Sequence, residues 1–466
     1  MTECFTVLAD EIEGRLDCHF YRPEYTQLDK KIKSISKKKL SDYILSISGG
    51  ATPDIKEAEK YYSDEAEGIT FLRVQNVTPE GLNLEEVKFI NKKTHNGMLK
   101  RSQVKEYNLL IKITGVGRMA VSSVAPKDFV GNINQHLVVI QTRDEETSKI
   151  LAVFLNSDIG EKLATKRATG GTRPALDYEA LKSIPIIFNA KIVGVYEKAI
   201  TQKQKIESEA LKLLDSINDY VLDELGIKFS AIKQDKIYCI NSEELENSRS
   251  DPYYFNPKFK RLLTDLQKSK ITLTKLKDVA EDIFNGKTPA KEDYAEEGNL
   301  ILKVSCLKHN KIKWDNLSYF KDGVPAVKTI KDKDVLLLSS AHQGEYLGKN
   351  PCIVEMPNNL KEKSIYFVGE LISIRADTEK VNPYYILAIL KLNEYYLFVN
   401  REKRGQTSHL YSDDLGNVKI PLPSLSVQNK IAEEVKKRMQ KAEQLQKEAK
   451  EELEKAKLEV ERIILG

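Results

Sequence analysis

The second half of this chain rewrites its first half, and that duplication constrains the fold more than any other feature. Ile192, Ala199, Ile206, Leu213 and Tyr220 recur every seven residues, and Tyr196, Ala210 and Ile217 stand four residues after three of them. Neither Gly nor Pro interrupts residues 195–225. The spacing predicts one long helix with a narrow apolar seam, the pattern of a coiled-coil partner. At 1.5 Å per residue such a helix spans about 50 Å. The ladder returns 236 residues later as Val435, Ala442, Ala449, Ala456 and Ile463, with Met439, Leu453 and Val460 four residues after three of them. Two helices with seams in phase close most simply on each other, antiparallel, with a globule at either end. A helix of another subunit would also cover such a seam.

The globules repeat as well. Arg15, Asp17, Phe20, Pro23, Tyr25 and Leu28 return as Arg249, Asp251, Tyr254, Pro257, Phe259 and Leu262. Gly50, Thr52 and Pro53 return as Gly286, Thr288 and Pro289. Short apolar runs at 71–74, 108–113 and 137–141 match runs at 301–304, 334–339 and 371–375, and they read as strands bounded by Gly, Asn, Asp and Pro. An amphipathic helix is expected over 150–164 and again over 383–399, each followed by a basic loop that contains Gly. Each half closes on an Ile-Pro strand, 184–186 and 420–422. The loops at 114–119 and 339–349 do not align residue by residue. The expected fold is α+β: two similar mixed α/β domains separated by two long antiparallel coiled-coil helices, with pseudo-twofold symmetry. The corresponding segments are 1–189, 190–226, 227–423 (beginning with a polar linker) and 424–466.

Most catalytic chemistries fail on the residues. The five Cys are scattered without a C-x-x-C pair, and the six His form no i, i+4 pair, so neither a disulfide framework nor a zinc site is expected. No Gly-rich phosphate loop of the Walker type is present. Asp251-Pro-Tyr-Tyr254 approaches an amino-methyltransferase motif but lacks its second Pro, and no S-adenosylmethionine loop accompanies it. The acidic N-terminal stretch is unlike a signal peptide, and no apolar run spans a bilayer, so a cytoplasmic protein is expected. What remains is a binding signal. The loops carry Lys166, Arg167, Thr172 and Arg173 in the first half, and Lys403, Arg404, Gln406, Thr407, Ser408 and His409 in the second. Arg and Lys neutralise phosphates and read guanine, Gln reads adenine, and hydroxyls bond phosphate or base edges. Thr114 and Arg118, and Ser340, His342, Gln343 and Lys349, lie on the loops expected to face the same ligand. The bland alternative is a surface turn with ordinary C-terminal helix cations.

The layout resembles the specificity subunit of type I restriction–modification systems. The resemblance rests on Arg15, Asp17 and Pro23 with Arg249, Asp251 and Pro257, on the Gly-x-Thr-Pro loops and on the Ile-Pro exits. It rests also on the run from Pro423 through Leu425, Gln428, Ile431 and Ala432 into the last helix. It covers nearly the whole chain. The first half departs from it after residue 186, where the second Pro and the Gln are missing, so an irregular start to the central helix is expected. The resemblance implies two target-recognition domains reading double-stranded DNA, with paired helices fixing the gap in a bipartite site. It implies two methyltransferase subunits that bind S-adenosylmethionine and methylate adenine, with restriction subunits where a system has them. This chain itself would then be non-catalytic and hold no cofactor. A coiled-coil scaffold for other proteins and a self-sufficient DNA enzyme are the alternatives.

Overall fold

The computed structural model describes residues 4–9, 12–231, 237–241, 249, 251–308, 311–321, 328–405 and 408–466. The chain divides into two compact units. Unit one comprises Met1–Ile206 and Lys447–Gly466, and unit two Glu207–Gln446. Both boundaries cut the long helices, so each unit contains part of each.

Unit one is built on two small sheets. The first orders Ser46–Gly49, Leu137–Gln141, Leu109–Lys112 and Ser122–Val124, antiparallel throughout. The second orders Tyr62–Ser63, Lys88–Ile90, Ile69–Leu72, Gly131–Ile133 and Gln103–Val104, with a parallel pairing of Gly131–Ile133 on Ile69–Leu72. Helices Pro23–Ile35, Glu145–Asn156 and Asp158–Arg167 close the core around Ile32, Leu109, Ile111, Val138, Ile140 and Phe154, all fully buried. Each such side chain contributes roughly 1.5–3 kcal/mol by leaving water.

Unit two repeats the topology. Its first sheet orders Ala280–Asn285, Leu371–Ala376, Val335–Leu338 and Cys352–Ile353. Its second orders Tyr294–Ala295, Ser318–Phe320, Asn299–Leu302 and Ile365–Phe367, again with one parallel pair, Ile365–Phe367 on Asn299–Leu302. The paired Gly-x-Thr-Pro motifs have one physical cause. A Cβ on Gly50 would stand 2.1 Å from the Ile133 carbonyl oxygen, and one on Gly286 would stand 2.1 Å from that of Phe367. In each unit the first strand's exit runs directly against the parallel strand of the other sheet, so only Gly fits.

The helix expected over 150–164 is two helices meeting at a corner. Ser157 ends the first and caps the second, its Oγ accepting from the Gly160 N–H at 3.0 Å. A Cβ on Gly160 would lie 2.1 Å from the Phe154 carbonyl, so the corner depends on that residue having none. The second half breaks likewise into Pro383–Leu390 and Asn393–Arg401. The amphipathic period runs through both breaks, which hides them from a pattern reading.

The central helix spans Lys191–Glu224 and the C-terminal helix Leu425–Leu465. Their segments pair antiparallel within each unit. In unit one Ile192 and Tyr196 share a core with Leu453, Val460 and Ile464. In unit two Ile217, Val221 and Leu225 share one with Ile431 and Val435. Polar contacts agree: Arg438 Nη1 donates to the Ser216 carbonyl at 2.8 Å, and Lys430 pairs with Glu224 at 2.7 Å. The seam drifts at its ends, where Val221 and Ile464 are buried while Tyr220 and Ile463 are half-exposed. A straight helix of 3.6 residues per turn slides off a seven-residue repeat in this way. The irregular start expected for the central helix is not seen. Asn189 Oδ1 accepts from the Lys191 N–H at 3.1 Å and supplies the cap. In the second repeat buried Gln428 ties the helix start down, donating to the Pro423 carbonyl at 2.9 Å and accepting from the Asn382 N–H at 3.0 Å.

Candidate nucleic-acid interface

In each unit the fold brings the two candidate loops together by the same hydrogen bond. In unit one the Leu176 N–H donates to the Ile113 carbonyl at 2.8 Å. In unit two the Leu410 N–H donates to the Ser339 carbonyl at 2.7 Å. This backbone equivalence supplies the alignment that side chains do not. Beyond it, Thr114 bridges Ala175, and the Gly115 N–H donates to the Pro174 carbonyl at 3.1 Å. In unit two Ser340–Ala341 pairs with Ser408–His409 as a short antiparallel ribbon, Ser340 opposite His409. The Arg404 N–H donates to the His409 carbonyl at 2.8 Å, closing the basic loop.

The candidate side chains divide by burial. Thr172 and Arg173 of unit one are exposed, as are His342, Gln343, Lys349 and Arg404 of unit two. Thr114, Ser340, Lys403, Ser408 and His409 are half-buried. Gln406 and Thr407 lie outside the described residues. Lys166 and Arg167, counted among the DNA contacts on polarity alone, are held inside unit one instead. Arg167 Nη2 pairs with Asp29 at 2.6 Å, Nε donates to Ser183 Oγ at 3.0 Å, and Nη1 donates to the Leu163 carbonyl at 2.8 Å. Lys166 is 2% exposed with Nζ 3.4 Å from the centre of the Phe20 ring, and burial pushes its pKa down to about 8. Arg118 is likewise engaged, with Asp158 at 2.9 Å and the Asn156 carbonyl at 2.5 Å. Arg404 reaches Asp414 but leaves about half its side chain in solvent.

Several residues of the unit-two site escape a reading of polarity and spacing. Asn400, 2% exposed, joins the helix end to the facing loop: its Nδ2 donates to the Gly344 carbonyl at 2.6 Å. Its Oδ1 accepts from Tyr253 Oη at 3.0 Å and from Lys403 Nζ at 3.1 Å. The repeat places Lys166 at this position in unit one, so a cation over an aromatic ring replaces an amide network. Lys349 Nζ lies 5.2 Å from the Tyr346 ring and 5.8 Å from that of Tyr396, and Lys403 Nζ 4.2 Å from that of Tyr253. Burial lowers the pKa of Lys403, and burial together with the Lys403 charge lowers that of Lys258. Cations interleaved with aromatic rings suit a phosphate backbone with stacked bases nearby. Tyr253, Tyr346 and Tyr396 stand far apart in the sequence, and only folding places them beside Lys403 and Lys349.

Among the described residues no His, Cys, Asp or Glu group has the form of a metal site. No helix there is long and apolar enough to cross a membrane.

Residues 268–455 match the family described as type I restriction modification DNA specificity domain. The chain is 28% identical over 169 residues to a protein of Methanocaldococcus jannaschii named as a type I restriction enzyme MjaX specificity subunit. That match covers 34% of this chain and 36% of that protein, so the chain spans little more than a third of the relative's length. Among solved structures, the type I restriction–modification S subunit from M. genitalium is 13% identical, with a TM-score of 0.38, covering 92% of this chain and 94% of that one. The HsdS subunit from Thermoanaerobacter tengcongensis is 14% identical, with a TM-score of 0.32, covering 91% and 94%. Over residues 268–455, the chain is thus similar to the DNA specificity domain of type I restriction–modification systems.

Proposed function

We infer that this chain is a DNA-recognition subunit in which each unit reads one half of a bipartite double-stranded target. The observation that carries this reading is the loop pairing found twice, Leu176 on Ile113 and Leu410 on Ser339, each time beside a basic loop. A duplicated surface fits a target with two half-sites. Arg173 in unit one and Lys349, Lys403 and Arg404 in unit two supply phosphate or guanine contacts. Thr172, Ser340, His342, Gln343, Ser408 and His409 supply hydrogen-bonding groups for base edges. The paired helices, 34 and 41 residues long, set the gap between the half-sites and dock two methyltransferase subunits. S-adenosylmethionine and the methyl transfer belong to those partners, as do translocation and cleavage where restriction subunits join. The chain contributes recognition and no catalytic step.

The test is binding by the chain assembled with its methyltransferase subunits. Affinity should be sequence-dependent and should fall linearly with salt on a double-logarithmic plot. Exchanging the globule of one unit for that of a relative should change one half of the target. Affinity indifferent to both sequence and salt would favour the scaffold reading instead.

A further inference from the structure

In each unit an arginine placed by the repeat grips the end of the helix that leads into the basic loop. Arg15 Nη1 donates to the Arg167 carbonyl at 2.9 Å, and its Nη2 donates to the Ala168 carbonyl at 3.2 Å. Arg249 Nη2 donates to the Lys403 carbonyl at 2.9 Å and to the Arg401 carbonyl at 3.4 Å. Those helices end at Arg167 and Arg401, so the Arg167 and Arg401 carbonyls are among the last four, which lack helical partners, and the Ala168 and Lys403 carbonyls lie just past the helix ends. A cation there also meets the negative end of the helix dipole.

Each guanidinium is itself fixed twice over. Arg15 pairs with Asp17 at 2.8 Å, and Arg249 pairs with Asp251 at 3.0 Å. The two carboxylates also accept the backbone N–H groups of Phe20, at 3.1 Å, and Tyr254, at 2.9 Å. The rings of these residues lie beneath the guanidinium carbons, 4.8 Å and 3.9 Å from centre to carbon. Two copies of one motif, divergent at most other positions, thus retain arginine, carboxylate, aromatic ring and helix end in one geometry. An ordinary surface ion pair would not need to end on main-chain carbonyls 152 residues away. The next residues along the chain are the basic loops themselves.

We propose that Arg15 and Arg249 are positioning residues for DNA reading, each gripping the carbonyls that end the helix before its basic loop and thereby fixing that loop's register. The side chains touch no DNA; they act through the main chain of residues 167–168 and 401–403. This role rests on the DNA-recognition reading above. It makes the two arginines separable, because each serves only the half-site read by its own unit.

The experiment uses the full chain assembled with its methyltransferase subunits. The probes are duplexes carrying the motif methylated by the wild-type complex, and versions with either half of that motif substituted. Arg249→Gln should lose discrimination at one half only, weakening binding to the intact motif by roughly tenfold to a hundredfold, the equivalent of one misread base pair. Arg15→Gln should do the same at the other half. The salt slope of each variant should match wild type, because no phosphate contact is removed. Adding Asp251→Asn to Arg249→Gln should cost little more, since the carboxylate acts through the arginine. Unchanged discrimination in both variants, with the wild type specific, would overturn the positioning role alone. Loss of hydrogen-exchange protection across the unit carrying the substitution would assign a merely structural role and also overturn it. A wild-type complex without sequence preference would remove the recognition reading and this proposal together.

Discussion

Arg167→Met separates a structural cation from a recognition cation. The Arg167 side chain is 6% exposed and that of Asp29 3%, with 2.6 Å between them. Removing one partner of such a pair strands the other as a buried charge and costs about 3–5 kcal/mol. Lys33 remains 2.6 Å from the other Asp29 oxygen and is 38% exposed, so part of the compensation survives. The expected loss is therefore at the low end, about 3 kcal/mol. Burial pushes the Asp29 pKa up, but Arg167 and Lys33 outweigh it, and the net shift is downward. A carboxyl with a lowered pKa stabilises the fold above its unfolded pKa and loses that contribution as pH falls through the folded value. The deficit of the variant should thus be full at neutral pH and should narrow below about pH 4. A chain of two units need not unfold in one step, so the assay is hydrogen exchange followed by peptide, in residues 23–35 and 158–167. Arg173→Gln, at an exposed position, should leave that protection within about 0.5 kcal/mol of wild type. If Arg167→Met kept full protection and lost DNA affinity, Arg167 would be a DNA contact and its assignment to the core would be wrong.

Three further outcomes are expected. Gly50→Ala and Gly286→Ala should each destabilise their own unit by roughly 3 kcal/mol or more, measured by denaturant titration with unit-specific probes, because the new methyl meets a strand carbonyl at 2.1 Å. Lys166→Met should stabilise unit one below pH 8. As pH rises from about 8 toward 10.5 the wild type should close the gap, because a lysine whose folded pKa is lowered releases its proton sooner in the folded state; thermal melts across that range read the effect. Lys349→Ala and Arg173→Ala should each reduce the salt slope of DNA binding by about 1, whereas Lys166→Met should leave the slope unchanged.

The duplication, the strand positions and both helix seams are legible in the sequence because they depend on apolar periodicity, which burial enforces. The loop pairing is not. It is made by main-chain groups of Ile113, Leu176, Ser339 and Leu410, and the intervening lengths differ between halves, so no side-chain pattern reports it. The burial of Lys166 and Arg167 is hidden for another reason. Their partners, Phe20 and Asp29, are more than 130 residues away, and a cation reads as surface until its partner is known. The corner at Ser157 escapes because one helix stops and another starts without breaking the apolar stripe. Arg15 and Arg249 were visible as a repeated motif, but their work on helix carbonyls appears only in three dimensions.

The central claim is that two similar units read two half-sites. The most direct measurement maps every methylated position in a genome whose only type I specificity subunit is this chain. The account predicts one bipartite motif with a fixed gap, one half of which changes when the loops at 339–349 and 401–411 are exchanged for a relative's while the other half stays the same. A single contiguous motif, or methylation that does not respond to that exchange, would contradict it.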